Sequence, residues 1–368
     1  MLKMNYKGIL RRYGVKKILR KIGLLKPKKI LYLSCHSVLE YDEILLLKRL
    51  GHYVFSPGDY VNEDNPGKAW LRPFPKKNVQ ENADLQSLYS YGKGGPKNKY
   101  KLQKELIKKF DIVIVMHDPK LIINNWHAIK HKSVVWRTIG QSSPEVEKLL
   151  KKYRHQGLKV VRYSPLEKNL HNFIGEDAII RFYKNPNEFK GWKGERGEVL
   201  TIAQNMIDRS DACHHDIYKK VVDGLPNQLY GSGNSSLGAL DDDSLSYKDL
   251  KKALQDFRCY FYTGTFPASY TLSFIEAWMT GIPIICIGNN LMHDRFVDQN
   301  LYEVPSLIVN EVNGFYADDI NSLREQIMLL LNNTKVAKKI SMNGRNSAIK
   351  HFGIKNITKQ WEIFIDSI

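Results

Sequence analysis

Few cysteines, no long apolar run and no acidic residue at the start of the chain each remove a class of protein. The four cysteines among 368 residues, Cys35, Cys213, Cys259 and Cys286, never reach Cys-x-x-Cys spacing. Neither a disulfide framework nor a thiolate zinc site is therefore expected, and reduced thiols in a cytoplasmic protein are the simplest reading. No stretch of about 18 apolar residues occurs, so no transmembrane helix is expected. The first residues carry charge without an apolar core or a small-residue cleavage site, so no secretory signal is expected either. Residues 1–30 contain no Asp or Glu but eleven Lys and Arg, while the rest of the chain holds 45 basic and 38 acidic residues. Most of the net charge of +18 is thus local. Such a segment attracts polyanions: anionic lipid head groups, nucleic acid or anionic polymers. At 43% apolar and 26% charged, the remainder has the composition of a folded chain, long enough for two domains.

Within the basic segment, residues 1–27, apolar Val15, Ile18, Leu19, Ile22 and Leu25 recur at three- and four-residue steps. Lys16, Lys17, Arg20 and Lys21 fall on the opposite side of the same helix. Apolar side down and cations among head groups, it suits an anionic membrane surface, the leading expectation. A helix docked on the core with a solvated basic face, or a contact with a polyanion, are the alternatives. Gly14 and Gly23 weaken the helix in all three.

From residue 28 onward, apolar runs alternate with amphipathic stretches. Strands are expected at 28–34, 51–55, 111–116, 133–137, 158–163 and 178–182, with helices at 43–50 and 101–110. A Pro-, Gly- and Asn-rich loop region spans 56–98. Residues 184–198, polar and glycine-rich, read as a linker between a domain at 28–183 and a second at 199–350. In the second, strands are expected at 198–203, 227–230, 258–262, 283–287 and 306–309. Helices are expected at 212–223, 246–256, 271–280, 320–332 and 335–350. A last amphipathic stretch lies within 351–368 and can cross back to the first domain. The pattern predicts an α/β fold of two Rossmann-like, doubly wound domains facing a cleft.

The stretch richest in chemistry is Tyr262-Thr-Gly-Thr-Phe-Pro-Ala-Ser-Tyr-Thr-Leu-Ser-Phe-Ile-Glu276-Ala-Trp-Met-Thr-Gly281-Ile-Pro283. A strand ends, a loop containing Gly264 follows, and a helix begins. Its first turn offers free N–H groups and the positive end of the helix dipole, a seat for a diphosphate. Ser269 and Thr271 can cap it or add hydroxyls. Glu276, one to two turns in, can accept two hydrogen bonds from a ribose diol.

In Leu272, Glu276, Ala277, Gly281 and Pro283 this segment resembles the retaining glycosyltransferases of the two-domain GT-B architecture, family four in particular. That family carries Glu-x7-Glu here, and Glu276 matches the second Glu, its ribose ligand. Ala268 stands at the first, Ser269-Tyr270-Thr271 at the flanking Gly-Phe-Gly. Other landmarks follow in order: Arg49-Leu-Gly-His-Tyr-Val54, the strand 111–116 ending in His117, and Asn310-Glu-Val-Asn-Gly-Phe315. Gln204 and Arg209 occupy the family's two diphosphate-binding cation positions, and Ser34-Cys35-His36-Ser37 replaces its first Gly-Gly loop. The resemblance covers roughly residues 28–350.

It implies a hexosyltransferase-like enzyme that needs no metal or cofactor and takes a UDP- or GDP-sugar as donor. His117, Arg209 and Glu276 would act in catalysis. Gln204, Gly231, Gly264, Ser269, Tyr270, Thr271, Leu272 and Glu276 would hold the donor. His36, Ser37, Glu40 and Asp42, after the first strand, are acceptor-side candidates. Asp241-Asp242-Asp243 reads as a solvated loop and His214-His215 as a pair without further ligands at metal-binding spacing. The expected acceptor is a lipid-linked or cell-surface glycan at the inner face of a membrane. Glycosylation of modified nucleic-acid bases and a catalytically silent nucleotide-sugar-binding protein are the alternatives. Nothing in the sequence sets an oligomeric state.

Overall fold

Unbroken Val/Ile/Leu runs form strands buried on both faces, and that demands parallel sheets covered by helices. The computed structural model describes residues 15–57, 83–89, 101–140, 143–234, 245–292 and 300–368. Residues 1–14, most of the 56–98 loop region and the Asp241-Asp242-Asp243 run lie outside the described residues.

The first sheet contains β1 (Lys29–Leu33), β2 (Tyr53–Phe55), β3 (Ile112–Met116), β4 (Ser133–Arg137), β5 (Lys159–Arg162) and β6 (Ala178–Ile179). Its order is β2-β1-β3-β4-β5-β6, and every pairing is parallel. Alternation splits its side chains cleanly. Ile30, Tyr32, Ile112, Ile114 and Met116 join a core that runs on into the second domain. Leu31, Leu33, Val113, Val115 and Trp136 form a separate core on the other face.

The second sheet contains β7 (Arg196–Ile202), β8 (Asn227–Tyr230), β9 (Phe257–Tyr262), β10 (Ile284–Ile287) and β11 (Phe315–Ala317), in the order β11-β10-β9-β7-β8, again all parallel. The strand expected at 306–309 is instead a helical turn, Val304–Leu307, and the fifth strand comes later, at β11. Pro305 decides this: its fixed φ and missing N–H suit the first turn of a helix and not a ladder.

The main helices are α1 (15–21), α2 (Ser37–Arg49), α3 (Pro119–Ile129), α4 (Pro144–His155), α5 (His215–Val222), α6 (Tyr247–Asp256), α7 (Leu272–Thr280), α8 (Ile320–Asn332), α9 (Thr334–Phe352) and α10 (Ile354–Asp366). Their starts follow local rules. Asp118 and Ser143 cap α3 and α4 ahead of a proline at the first turn, and Ser246, Asp319 and Asn333 cap α6, α8 and α9. The helix expected at 43–50 begins six residues earlier. The cap of α2 is the His36 side chain, accepting from the Leu39 amide, a residue type outside the usual cap set. Ser37, Glu40 and Asp42 therefore sit on a helix. The final helix α10 packs on α2, so the chain ends against its first domain. No helix among the described residues is long and apolar enough to cross a membrane.

Candidate functional site

In each sheet one strand, β1 or β7, has its sequence successor on one side and a later strand on the other. At such a reversal the connections leave to opposite faces and open a crevice beyond the carboxyl ends of the strands. The two crevices form one cavity of about 510 Å³, in the size range of small-molecule sites. Cys35, His36, Ser37, Ile139 and Gly140 line it from the first domain; Gln204, Arg209, Tyr230, Gly231 and residues 265–276 supply most of the other wall.

Helix α7 points its amino end into this space: Thr271, Leu272 and Ser273 line the cavity. Its N-cap, Thr271, is extended and makes no side-chain capping bond, and the first turn carries no acidic residue. The Thr271 hydroxyl instead meets Ser273 Oγ at 2.9 Å. First-turn amides and the dipole are thus presented to an anion. Arg209 lies on the same wall, with no hydrogen bond or ion pair to its guanidinium among the described residues. Two more of the expected donor residues, Gln204 and Gly231, belong to a pair of interlocked loops. Gln204 Oε1 accepts from the amide and hydroxyl of Ser232, at 2.9 and 2.5 Å. Gly231, at φ +138°, passes so close to Ala203 that a Cβ would lie 2.0 Å from its carbonyl oxygen. Asn234 fastens both loops, donating to the carbonyls of Ala203 and Gly231 and accepting from the Met206 amide.

Glu276 is nearly buried, lines the cavity and carries a partner invisible in the sequence: Lys184 Nζ lies 2.8 Å from Glu276 Oε1 and 3.1 Å from Asp42 Oδ2. Lys184 opens the stretch read as a linker, yet it is fully buried, its amide donating to the Phe352 carbonyl. It joins a carboxylate of α2 to one of α7 and so ties the domains together beside the cavity. No local pattern marks it, because its role exists only where the chain passes between the lobes.

The remaining expected residues stand off the cavity wall. Gly264 packs against Met292 and Tyr302. Ser269 is buried, its amide donating to Tyr163 Oη at 2.6 Å and its carbonyl accepting from the Glu303 amide. Glu40 accepts from Ser56 Oγ, and Asp42 is held by Lys184 and, through its carbonyl, by Tyr183 Oη. These acceptor-side candidates therefore have structural partners, whereas His36 and Ser37 line the cavity. His117 ends β3 in the left-handed region at φ +63°, a conformation disfavoured for any residue with a Cβ. Its carbonyl accepts from Trp136 Nε1, while its own Nδ1 is buried without a hydrogen-bond partner among the described residues. Burial pulls its pKa below the ordinary histidine value, which keeps the ring neutral at pH 7.

A second tie between the domains was also hidden in the sequence. Tyr270 Oη donates to the Tyr163 carbonyl at 2.6 Å, Ser164 Oγ donates to Glu303 Oε2 at 2.7 Å, and Arg181 pairs with Glu303. Tyr163 stacks on Phe182 at 5.1 Å and meets Tyr270 edge-on at 5.1 Å. Gly140, at φ +90°, touches this contact: a Cβ there would lie 2.8 Å from Tyr163 Oη and 3.2 Å from Ala268 Cβ. Ala268 Cβ thus faces Gly140 of the first domain while also lining the cavity. The part of the wall beside it is apolar, formed by Ile139, Phe182, Phe266, Pro267 and Ala268.

No protein-family model matches the chain, and no curated protein sequence matches it. Solved structures do. The chain is similar to HepE of Anabaena in complex with UDP-glucose, at 14% identity over 93% of this chain and 100% of that one, with a TM-score of 0.64. It is similar to sucrose-phosphate synthase of Thermosynechococcus elongatus, at 13% identity over 92% and 98%, TM-score 0.62. A glycosyltransferase from Rickettsia africae matches at 17% identity over 93% and 99%, TM-score 0.64.

Proposed function

Because the chain has the GT-B fold, two parallel α/β sheets facing a cleft, we propose that it is a retaining glycosyltransferase of the family-four type. It moves a sugar from a UDP- or GDP-sugar to a hydroxyl acceptor. One observation carries this: the amino end of α7, without a side-chain cap, the Arg209 guanidinium, unpaired among the described residues, and the carboxylate of Glu276 line one cavity between the lobes. The diphosphate sits on the first-turn amides of α7 with Arg209 beside it, and Glu276 takes the ribose hydroxyls through the oxygen that Lys184 leaves free. Gln204, Gly231, Tyr270 and Leu272 shape the donor wall. Gly264 and Ser269 act from behind it, holding the loop that leads into α7.

Breaking the sugar–phosphate bond builds negative charge on the departing diphosphate. Fixed dipoles and a cation already aimed there stabilise it without reorganising. The acceptor hydroxyl enters from the first domain past His36 and Ser37, with Glu40 and Asp42 fixing the helix that carries them. His117, neutral at pH 7, stands behind the cavity wall and supports the donor-sugar end of the site through the strand end it closes, as Gly264 and Ser269 do elsewhere. Similarity to a structure that holds UDP-glucose supports a uridine donor as the first to try. The acceptor we favour is a lipid-linked or cell-surface glycan at the cytoplasmic face of a membrane, on the strength of the basic first segment.

The test is calorimetric titration with UDP and GDP, followed by a screen of UDP- and GDP-sugars for release of nucleoside diphosphate. Binding of one nucleotide at micromolar affinity, weakened by Arg209→Ala and Glu276→Ala, is expected. If neither nucleotide binds and no donor is consumed, the proposal fails. Binding without turnover on any acceptor would point to the silent nucleotide-sugar-binding alternative.

A further inference from the structure

An amphipathic helix next to a folded core normally turns its apolar side inward. Helix α1 does the reverse. Arg20 is buried, its guanidinium donating to the Leu50 carbonyl and to Asp366 Oδ1, each at 2.7 Å, with Glu362 Oε1 at 3.5 Å. Lys16 Nζ reaches Asp366 Oδ2 at 2.6 Å. Both carboxylates belong to α10, and burial raises the pKa of Glu362. Lys16 and Arg20 of the cationic side are thus fastened to the acidic end of the last helix, and the apolar side chains of Val15, Ile18 and Ile22 are left in solvent. Val15, Ile18 and Ile22 are 47, 57 and 61% exposed, and Leu24 in the following turn is 71% exposed. The turn is closed by the Leu25 amide donating to the Leu19 carbonyl, with Gly23 at φ +79°. Exposed Lys17, Lys21 and Lys26 flank the apolar patch.

We propose that this outward face, α1 with the turn 22–25, is a docking surface for an anionic lipid bilayer. Contiguous exposed apolar residues mark an interaction site, and the surrounding charge selects the occupant. A second copy would set one ring of lysines against another. A nucleic acid would use the lysines and leave the apolar residues wet. A bilayer interface with anionic head groups takes both, the aliphatic side chains entering the acyl boundary and the lysines remaining among phosphates. Three ion pairs from Lys16 and Arg20 to α10 fix which side of the helix faces out, so this surface is presented by the folded protein. The proposal stands apart from the donor assignment, since it uses no residue of the cavity.

The full-length chain is floated with vesicles of phosphatidylcholine alone and with phosphatidylglycerol added. Binding to the anionic vesicles alone is expected. Ile18→Ser/Ile22→Ser/Leu24→Ser lowers the partition coefficient at least about tenfold with an unchanged melting temperature, because all three side chains are exposed. Lys17→Ala and Lys21→Ala each lower it about fivefold. No flotation of the wild type, or equal flotation of the triple variant, would overturn the proposal. So would a dimer that the triple change dissolves, or a duplex-DNA shift that needs the lysines but not the apolar residues, in the absence of vesicle binding. Loss of donor turnover with flotation intact would count against the glycosyltransferase reading and leave this one standing.

Discussion

Replacing Lys184 by methionine removes one ammonium from between two carboxylates. The chain length is nearly preserved, so packing changes little and the perturbation is electrostatic. Nζ lies 3.1 Å from Asp42 and 2.8 Å from Glu276, and the three side chains are 0, 6 and 11% exposed. Removing one partner of a buried pair costs about 3–5 kcal/mol, because the charge left behind has lost its compensation. At about 2–4 °C per kcal/mol, the melting temperature falls by roughly 6–20 °C. A double change separates this cause from lost packing: adding Asp42→Asn to Lys184→Met removes one of the uncompensated carboxylates and recovers part of the loss. Glu276 loses the contact that holds its rotamer, so UDP binds about tenfold more weakly, the equivalent of one hydrogen bond. Thermal unfolding of both variants, with titration of UDP, measures each effect. A melting temperature of Lys184→Met within about 2 °C of the wild type, or no recovery on adding Asp42→Asn, would refute the reasoning.

Three further predictions probe other parts of the site and its support. Arg209→Ala, removing the cation nearest the seat proposed for the diphosphate, lowers kcat about 10²–10³-fold in a donor-turnover assay while the protein melts as before. Gly231→Ala drives a Cβ onto the Ala203 carbonyl, displacing two interlocked loops; nucleotide binding is lost in titration before global unfolding is seen. Glu167 is fully buried, and desolvation pushes its carboxyl up to about 7 despite the Arg162 guanidinium. Its folded pKa is raised, so its contribution is present below pH 4.5 and lost as pH rises through about 7, a swing on the order of 3 kcal/mol. Glu167→Gln should flatten the wild-type fall in stability over that interval, read from melting temperatures against pH.

Much of the molecule was written locally. Apolar runs such as Ile112-Val-Ile-Val-Met116 can only be strands of a doubly covered sheet, and proline after Asp118 or Ser143 can only open a helix. The segment proposed to seat the diphosphate stands out locally for the same reason, since a strand, a loop, a helix start and Glu276 follow one another within fifteen residues. Where a local signal was unusual, the expectation slipped. A histidine cap hid the first turn of α2, and Pro305 turned an apolar run into a helical turn. The partners of these elements were decided by tertiary structure alone. Lys184 between Asp42 and Glu276, Tyr163 on Ser269, and Gly140 against Ala268 join residues more than a hundred positions apart, or nearly so. The sequence determined that α1 has an apolar and a basic side. It could not say which side faces the protein, because that depends on two acidic residues at the far end of the chain, brought alongside only when α10 folds back.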